Sequence, residues 1–171
     1  MSLSMYQISV PVFVQYLTAL DTMLDKAAAL CAAKKIDETV FTGLRLAPDM
    51  FALARQVQLA SDFAKGPVAR LAGVEVPAYE DTEKTIPELK ARIKKTLDYI
   101  QGFKPSQIDG SETRDIHIKL RGNPVTFKGQ PYLLNFAMGH FNFHTVTAYN
   151  IMRHAGVEIG KGDFIGKIPG M

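Results

Sequence analysis

The chain has 171 residues, of which 47% are hydrophobic and 22% charged, with a formal net charge of +3. That composition fits a single globular domain spanning residues 1–171 and excludes disordered or fibrous classes; at this length a fold buries roughly 70% of its unfolded surface and needs no covalent staples. The basic residues are scattered over Lys34-Lys35, Arg92 to Lys95 and Lys161, which argues against nucleic acid as a partner, because phosphate binding wants a concentrated patch.

Cys31 is the single cysteine, so no intrachain disulfide forms and a reducing compartment is expected. The opening "MSLSMYQISVPVFVQYLTALD" lacks a basic leader and is broken by Pro11, Gln15 and Asp21. No apolar run approaches the ~20 residues of a membrane span. The expectation is a cytoplasmic protein with no membrane partner.

Helical periodicity begins at Ser9. Phe13, Leu17, Leu20, Leu24, Ala27 and Cys31 recur at three- and four-residue steps up to Lys34-Lys35. Ser9 reads as the N-cap with Pro11 in the first turn, and Cys31, in an Ala-rich stretch, reads as a small packing residue. A loop holding Asp37, Gly43 and Pro48 leads to a second helix, Pro48 to Gly73. Its apolar stripe is Met50, Leu53, Val57, Ala60, Ala64, Val68 and Leu71, with Gly73 as its terminator. Pro67 inside it predicts a kink after Lys65-Gly66. After the polar "VEVPAYEDTEKT", a third helix spans roughly Ile86 to Phe103. Leu89, Ile93, Leu97 and Ile100 face inward, and "ELKARIKK" reads as a solvated face.

The period then changes from helix to strand. In "RDIHIKLRGNPVTFKGQ" apolar and polar residues alternate on both sides of Gly122-Asn123, which predicts a β-hairpin over about 115–128. Pro124 marks its strand as an edge, and His117 points to solvent. A fourth helix runs from Gln130-Pro131 to Ala155-Gly156, and residues 157–171 form a Gly-rich tail without periodicity. These elements describe an all-α four-helix bundle with a small hairpin between helices three and four.

The chemistry concentrates in the fourth helix. His140 and His144 are one turn apart, on a face shared with Leu133, Phe136, Ala137, Thr147 and Ile151 that should turn toward the core. Two buried imidazoles must be neutral and hydrogen-bonded, or bound to a metal. The spacing suits two nitrogen ligands on one ion, while a pair bonded to neighbouring hydroxyls and carbonyls satisfies it equally. No Glu follows His140, which excludes the H-E-x-x-H protease pattern. A third ligand would come from helix two, where Arg55, Gln58 and Asp62 form a polar stripe; Gln58 and Asp62 are i, i+4 neighbours. They serve as ligands if they face the histidines, or as a hydrogen-bonded pair orienting Arg55. Gln56, on the other flank, reads as solvent-exposed or at a helix contact. His154 lies ~15 Å down the helix, too far for the same ion, and suits the negative end of the helix dipole.

Three segments, "SVPVFVQYLTALDTMLDKAAA", "FALARQVQLASDFAKGPVARLAG" and "GHFNFHTVTAYNIMRHAGV", with the order of elements between them, make the chain resemble the DinB/YfiT-like superfamily of four-helix proteins. It is most similar to a bacterial branch known as a domain of unknown function. The resemblance implies a divalent metal held by one His of the second helix and two of the last, in thiol-dependent transferases or isomerases that often dimerise. His140 and His144 carry over as ligands. The second helix has no His, only Gln58 and Asp62, and Thr145-Val146-Thr147 stands where a basic sequence often follows the second His. The expectation is a divalent-metal-dependent enzyme holding Zn, Ni or Fe through His140, His144 and an oxygen of Gln58 or Asp62. The substrate would be a small molecule or a thiol, and Arg55 would then orient an anionic substrate or serve equally as a surface ion-pair residue. The alternatives are a metal-free ligand-binding or stress-response bundle, or a structural homodimer.

Overall fold

The computed structural model describes residues 3–168. In chain order the elements are α1 (Val10–Lys34), α2 (Glu38–Thr42), α3 (Leu53–Ala72), α4 (Ile86–Gln101), α5 (Pro105–Ile108), β1 (Asp115–Leu120), β2 (Asn123–Lys128) and α6 (Gly129–Pro131). A π-helical segment (Tyr132–Ala137), α7 (Met138–His154) and α8 (Lys161–Ile165) complete the order. The fold is mostly helical with one antiparallel hairpin. Of its four long helices, α3 packs against α7 and α4, and α1 packs against α4 and α7. Phe13, Leu17 and Leu20 of α1 meet Val57, Ala60 and Ala64 of α3, Leu89 and Ile93 of α4, and Phe141 and Ala148 of α7 in one core. No helix of the described residues is long and apolar enough to cross a membrane.

The helix ends depart from expectation where a backbone donor finds a nearer partner. Ser9 stands at the N-cap position of α1, but its hydroxyl donates back to the Met5 carbonyl at 2.6 Å instead of accepting from the first turn. Asp37 is a true cap, accepting from the Thr39 amide at 2.8 Å, and it starts α2 inside what the sequence marks as loop. Helix α3 begins at Leu53, not Pro48, because the Leu53 amide donates to Leu44 (2.8 Å) and the first intrahelical bond runs from Gln56 to Ala52. It continues through Pro67 and ends at Gly73, whose φ of +72° is the left-handed conformation glycine adopts freely.

The hairpin forms as predicted, with a shifted turn. Leu120 pairs with Asn123, so the two turn residues are Arg121 (φ +50°) and Gly122 (φ +84°), not Gly122-Asn123. Two positive φ values make the type I′ geometry that fits the strand twist. Arg114 ties the hairpin base to α3 by donating to the Leu71 carbonyl, one of the acceptors a helix C-terminus leaves open. His117 is exposed, as expected, and bonds Thr126 Oγ1 at 2.8 Å.

The fourth helix is not uniform. One row of its buried positions runs Leu133, Ala137, Phe141, Thr145, Ala148 and Met152, beginning with three four-residue steps, and His144, Thr147 and Ile151 are buried beside it. In an α-helix each such step overshoots a full turn by about 40°. The wider π-helical turns of residues 132–137 absorb the first of these, keeping Leu133 and Phe141 on one core. The inward stripe therefore extends from Thr145 on one flank to Thr147 on the other, with His144 inside it as expected, while His140, at its margin, is exposed. The tail also carries structure: Val157 and Ile159 are buried, and Phe164 of α8 packs on Tyr16 (5.3 Å between centroids) and Tyr149 (5.8 Å). Positions 169–171 of the predicted tail lie outside the described residues.

The face read as solvated contains the most buried cation of the fold. Arg92 is 3% exposed. Its guanidinium bonds Asp62 of α3 (3.0 Å), Asp81 (3.0 Å) and Glu83 (3.1 Å), and stacks 5.4 Å from the Tyr79 ring. Lys65 of α3, also buried, pairs with Asp62 and sits 4.4 Å from the same ring. Tyr79, Asp81 and Glu83 belong to the irregular connection 73–85, so this network fastens that strap across α3 and α4. Removing one partner of a buried ion pair costs about 3–5 kcal/mol, and the partial exposure of the three carboxylates reduces that here. Arg92→Met is therefore expected to lose roughly 2–3 kcal/mol in urea unfolding and to expose the strap to protease cleavage between Val74 and Lys84. An unchanged urea midpoint would remove the network from the account.

Candidate ligand cleft

The π-helical segment delivers Phe136 and then His140 and His144 to the surface where α7 faces α3. Across from them α3 contributes Leu59 and Phe63, and Phe51 comes from the segment before it. With Phe143 they line an open cleft of about 650 Å³. Its walls are aromatic. The His140 ring stacks on Phe63 at 4.4 Å with the planes 4° apart, and leans on Phe136 at 4.6 Å. Phe51 and Phe143 are 58% and 56% exposed, large apolar surface for a rim.

His144 lies at the floor, 6% exposed. Its Nδ1 is 2.8 Å from Oε1 of Gln56, which is itself fully buried between α3 and α7. Gln56 Nε2 in turn donates to the Phe51 carbonyl at 3.1 Å. Burial first, then the neighbouring His140 and Arg55, pushes the His144 pKa down to about 4. Burial also lowers that of His140. Both imidazoles are thus neutral near pH 7.

The residues expected to complete a metal centre lie elsewhere. Gln58 accepts from Arg55 (3.2 Å) and donates to Glu83 (3.0 Å), while Asp62 accepts from Arg92 and Lys65. Both belong to the strap network on the α4 side of α3. Arg55 is bound by Asp81 as well as Gln58, so its guanidinium is engaged and does not line the cleft. Gln56, read as a flanking residue, is the one α3 side chain bonded to His144. Among the described residues no group of three His, Cys, Asp or Glu side chains could hold a metal ion. Two imidazoles without a third such ligand do not fit the three-ligand divalent centre. A signal for the true α3 face was present in the sequence: Gln56 and Phe63 are seven residues apart, two turns on one side of a helix. Cys31, buried in the core of α1, takes no part, and His154 is exposed in the last turn of α7.

Over residues 5–165 the chain matches the family described as Domain of unknown function (DUF1993). No functionally curated protein matches it. Among solved structures it is similar to a DinB family member protein from Shewanella denitrificans, with 39% sequence identity and a TM-score of 0.85. The match covers 96% of this chain and 93% of that one.

The depressed pKa of His144 has a sign that can be measured. The folded value lies below the ordinary 6.5, so the unfolded chain binds this proton more readily as pH falls. The stability contributed by keeping His144 neutral is complete above about pH 6.5 and is lost progressively toward pH 4, at no more than about 1.4 kcal/mol per pH unit. Urea midpoints between pH 7 and 4 should fall less steeply in His144→Phe than in the parent protein. Parallel profiles would show that His144 titrates normally.

Proposed function

The chain belongs to the DUF1993 family of DinB-like proteins, and from that premise we propose that it is a metal-free binding protein that takes a small apolar molecule into the cleft above His144. We read its four long helices as the four-helix bundle of that superfamily, with the hairpin and short helices as additions. The observation that carries the proposal is the Gln56–His144 hydrogen bond. Gln56 occupies the α3 position facing the histidines, where a further strong ligand would have to stand. A neutral amide oxygen is a weak ligand for zinc, nickel or iron, and this one is already committed to the Nδ1 proton.

What remains at the surface is an apolar concavity with few polar groups, of a volume within the ~300–1,000 Å³ usual for small-molecule sites. Exposed aromatic rings on such a rim cost solvation unless something covers them. A π-helical turn immediately before the cleft is consistent with this assignment, since such turns recur at functional sites.

A second reading, a divalent ion on His140 and His144, draws on one observation. A metal-bound His usually donates its other ring N–H to an oxygen acceptor, and His144 faces Gln56 Oε1 in that way. The missing third ligand makes it the weaker of the two.

Elemental analysis separates them. Protein purified without added metal or a metal-affinity step is expected to carry no stoichiometric Zn, Ni or Fe. Stoichiometric metal lost in His140→Ala and His144→Ala would establish the second reading instead. The cleft itself is tested with toluene, a simple aromatic probe, by ligand-observed NMR. Phe143→Asp should weaken toluene binding roughly tenfold or more, because a buried aromatic contact is worth about 1.5–3 kcal/mol. Its stability should change by no more than about 0.5 kcal/mol, as for other exposed positions. Equal toluene binding by parent and variant would place the ligand elsewhere.

A further inference from the structure

The polar content of the cleft narrows what it can accept. Gln56 is buried with its amide held at both ends. Its Nε2 donates to the Phe51 carbonyl, 3.1 Å away, so its Oε1 is the atom turned to His144. Flipping the amide would set two oxygens against each other at Phe51. Oε1 can only accept, so His144 Nδ1 carries the proton. A neutral imidazole has a single N–H, which leaves a lone pair on Nε2. That nitrogen has no hydrogen-bond partner among the described residues. It keeps some solvent exposure, and the ring that carries it lines the cleft.

The nearest charge is that of Arg55, 5.9 Å from the Phe51 ring at the rim, and it lies outside the cleft lining. No Lys, Arg, Asp or Glu lines the cleft, and Arg55 is engaged by Asp81 and Gln58. An ionic ligand would therefore be desolvated without compensation. The walls are flat rings: Phe63 and His140 already lie parallel, and Phe136 and Phe143 stand beside them. Such surfaces pair best with another ring, stacked or edge-on.

We propose that the cleft selects neutral planar aromatic molecules bearing one hydrogen-bond donor, phenols and indoles being the simplest, with His144 Nε2 as the selecting acceptor and Gln56 as the residue that positions it. This rests on the ligand-cleft reading above. Gln56 touches no ligand. It acts by fixing the tautomer and orientation of the imidazole, while burial keeps that ring neutral at pH 7.

The test compares p-cresol with toluene, which differ by one hydroxyl, on the full chain at pH 7. The ratio of their dissociation constants cancels most of the shared apolar contact. In the parent protein that ratio should favour p-cresol by roughly fivefold or more relative to His144→Phe, the worth of one net hydrogen bond. Should His144→Phe fail to fold, the imidazole ¹⁵N shifts of the parent protein supply the readout. His144 Nε2 should respond to p-cresol and not to toluene, and Gln56→Met should give a mixture of the two tautomers. An identical ratio in parent and variant, with both probes bound, overturns the selection by His144 while leaving the cleft standing. Asn135 also lines the cleft, and a p-cresol preference that resides there, shown by its loss in Asn135→Ala, overturns it as well. Binding of neither probe overturns the ligand-cleft reading itself.

Discussion

A guanidinium buried at the α3–α4 contact sets the terms for the rest of the molecule. Arg92 cannot shed its proton, and an unpaired charge at 3% exposure would be untenable. It must draw carboxylates from whatever packs against it. Asp62 comes from α3, and Asp81 and Glu83 come from the strap that enters α4. Meeting that demand fixes the rotation of α3 about its axis, because Asp62 and Lys65 must point toward α4. Gln58, one turn before Asp62, follows them and is taken up by Arg55 and Glu83.

The same rotation decides what α3 offers to α7. With Asp62 and Lys65 committed to one side, the other side presents Gln56, Leu59 and Phe63, followed two turns on by Arg70, which is bonded to the Tyr132 hydroxyl at 3.1 Å. The histidines meet an amide and a phenyl ring instead of a carboxylate. One imidazole stacks on Phe63, and the other gives its Nδ1 proton to Gln56. The ionic side of α3 and the aromatic cleft are thus two consequences of one packing choice. Charge is concentrated where it stabilises the strap, and no charged side chain lines the cleft.

Much of this was legible in the residues, and the parts that were not share a cause. The long helices, the hairpin, the Gly73 terminator and the packing role of Cys31 follow from local spacing and backbone chemistry. Such signals lie within a few residues of the features they specify. Arg92 reads as solvated because "ELKARIKK" is polar on its own; its partners stand nine or more residues away in "YEDTEK" and across the contact in α3. Ser9 resembled a cap, but the preceding turn offered its hydroxyl a closer carbonyl. His140 and His144 were correctly placed on one side of one helix. Their unequal depth was hidden, since it depends on a π-helical turn that an apolar pattern read at 3.6 residues per turn does not register. Whether Gln58 and Asp62 or Gln56 meets the histidines depends on the rotation of α3, which the charge of a distant loop decides.

The central claim is that His144 presents a bare, neutral Nε2 to an organic ligand because Gln56, not a metal, completes its surroundings. Long-range ¹H–¹⁵N correlation of the imidazole nitrogens at pH 7, before and after one equivalent of Zn²⁺, tests it directly. The account predicts a single Nδ1–H tautomer for His144 that is unchanged by the ion. A stoichiometric shift of Nε2 to a metal-bound value, shared by His140, would contradict it.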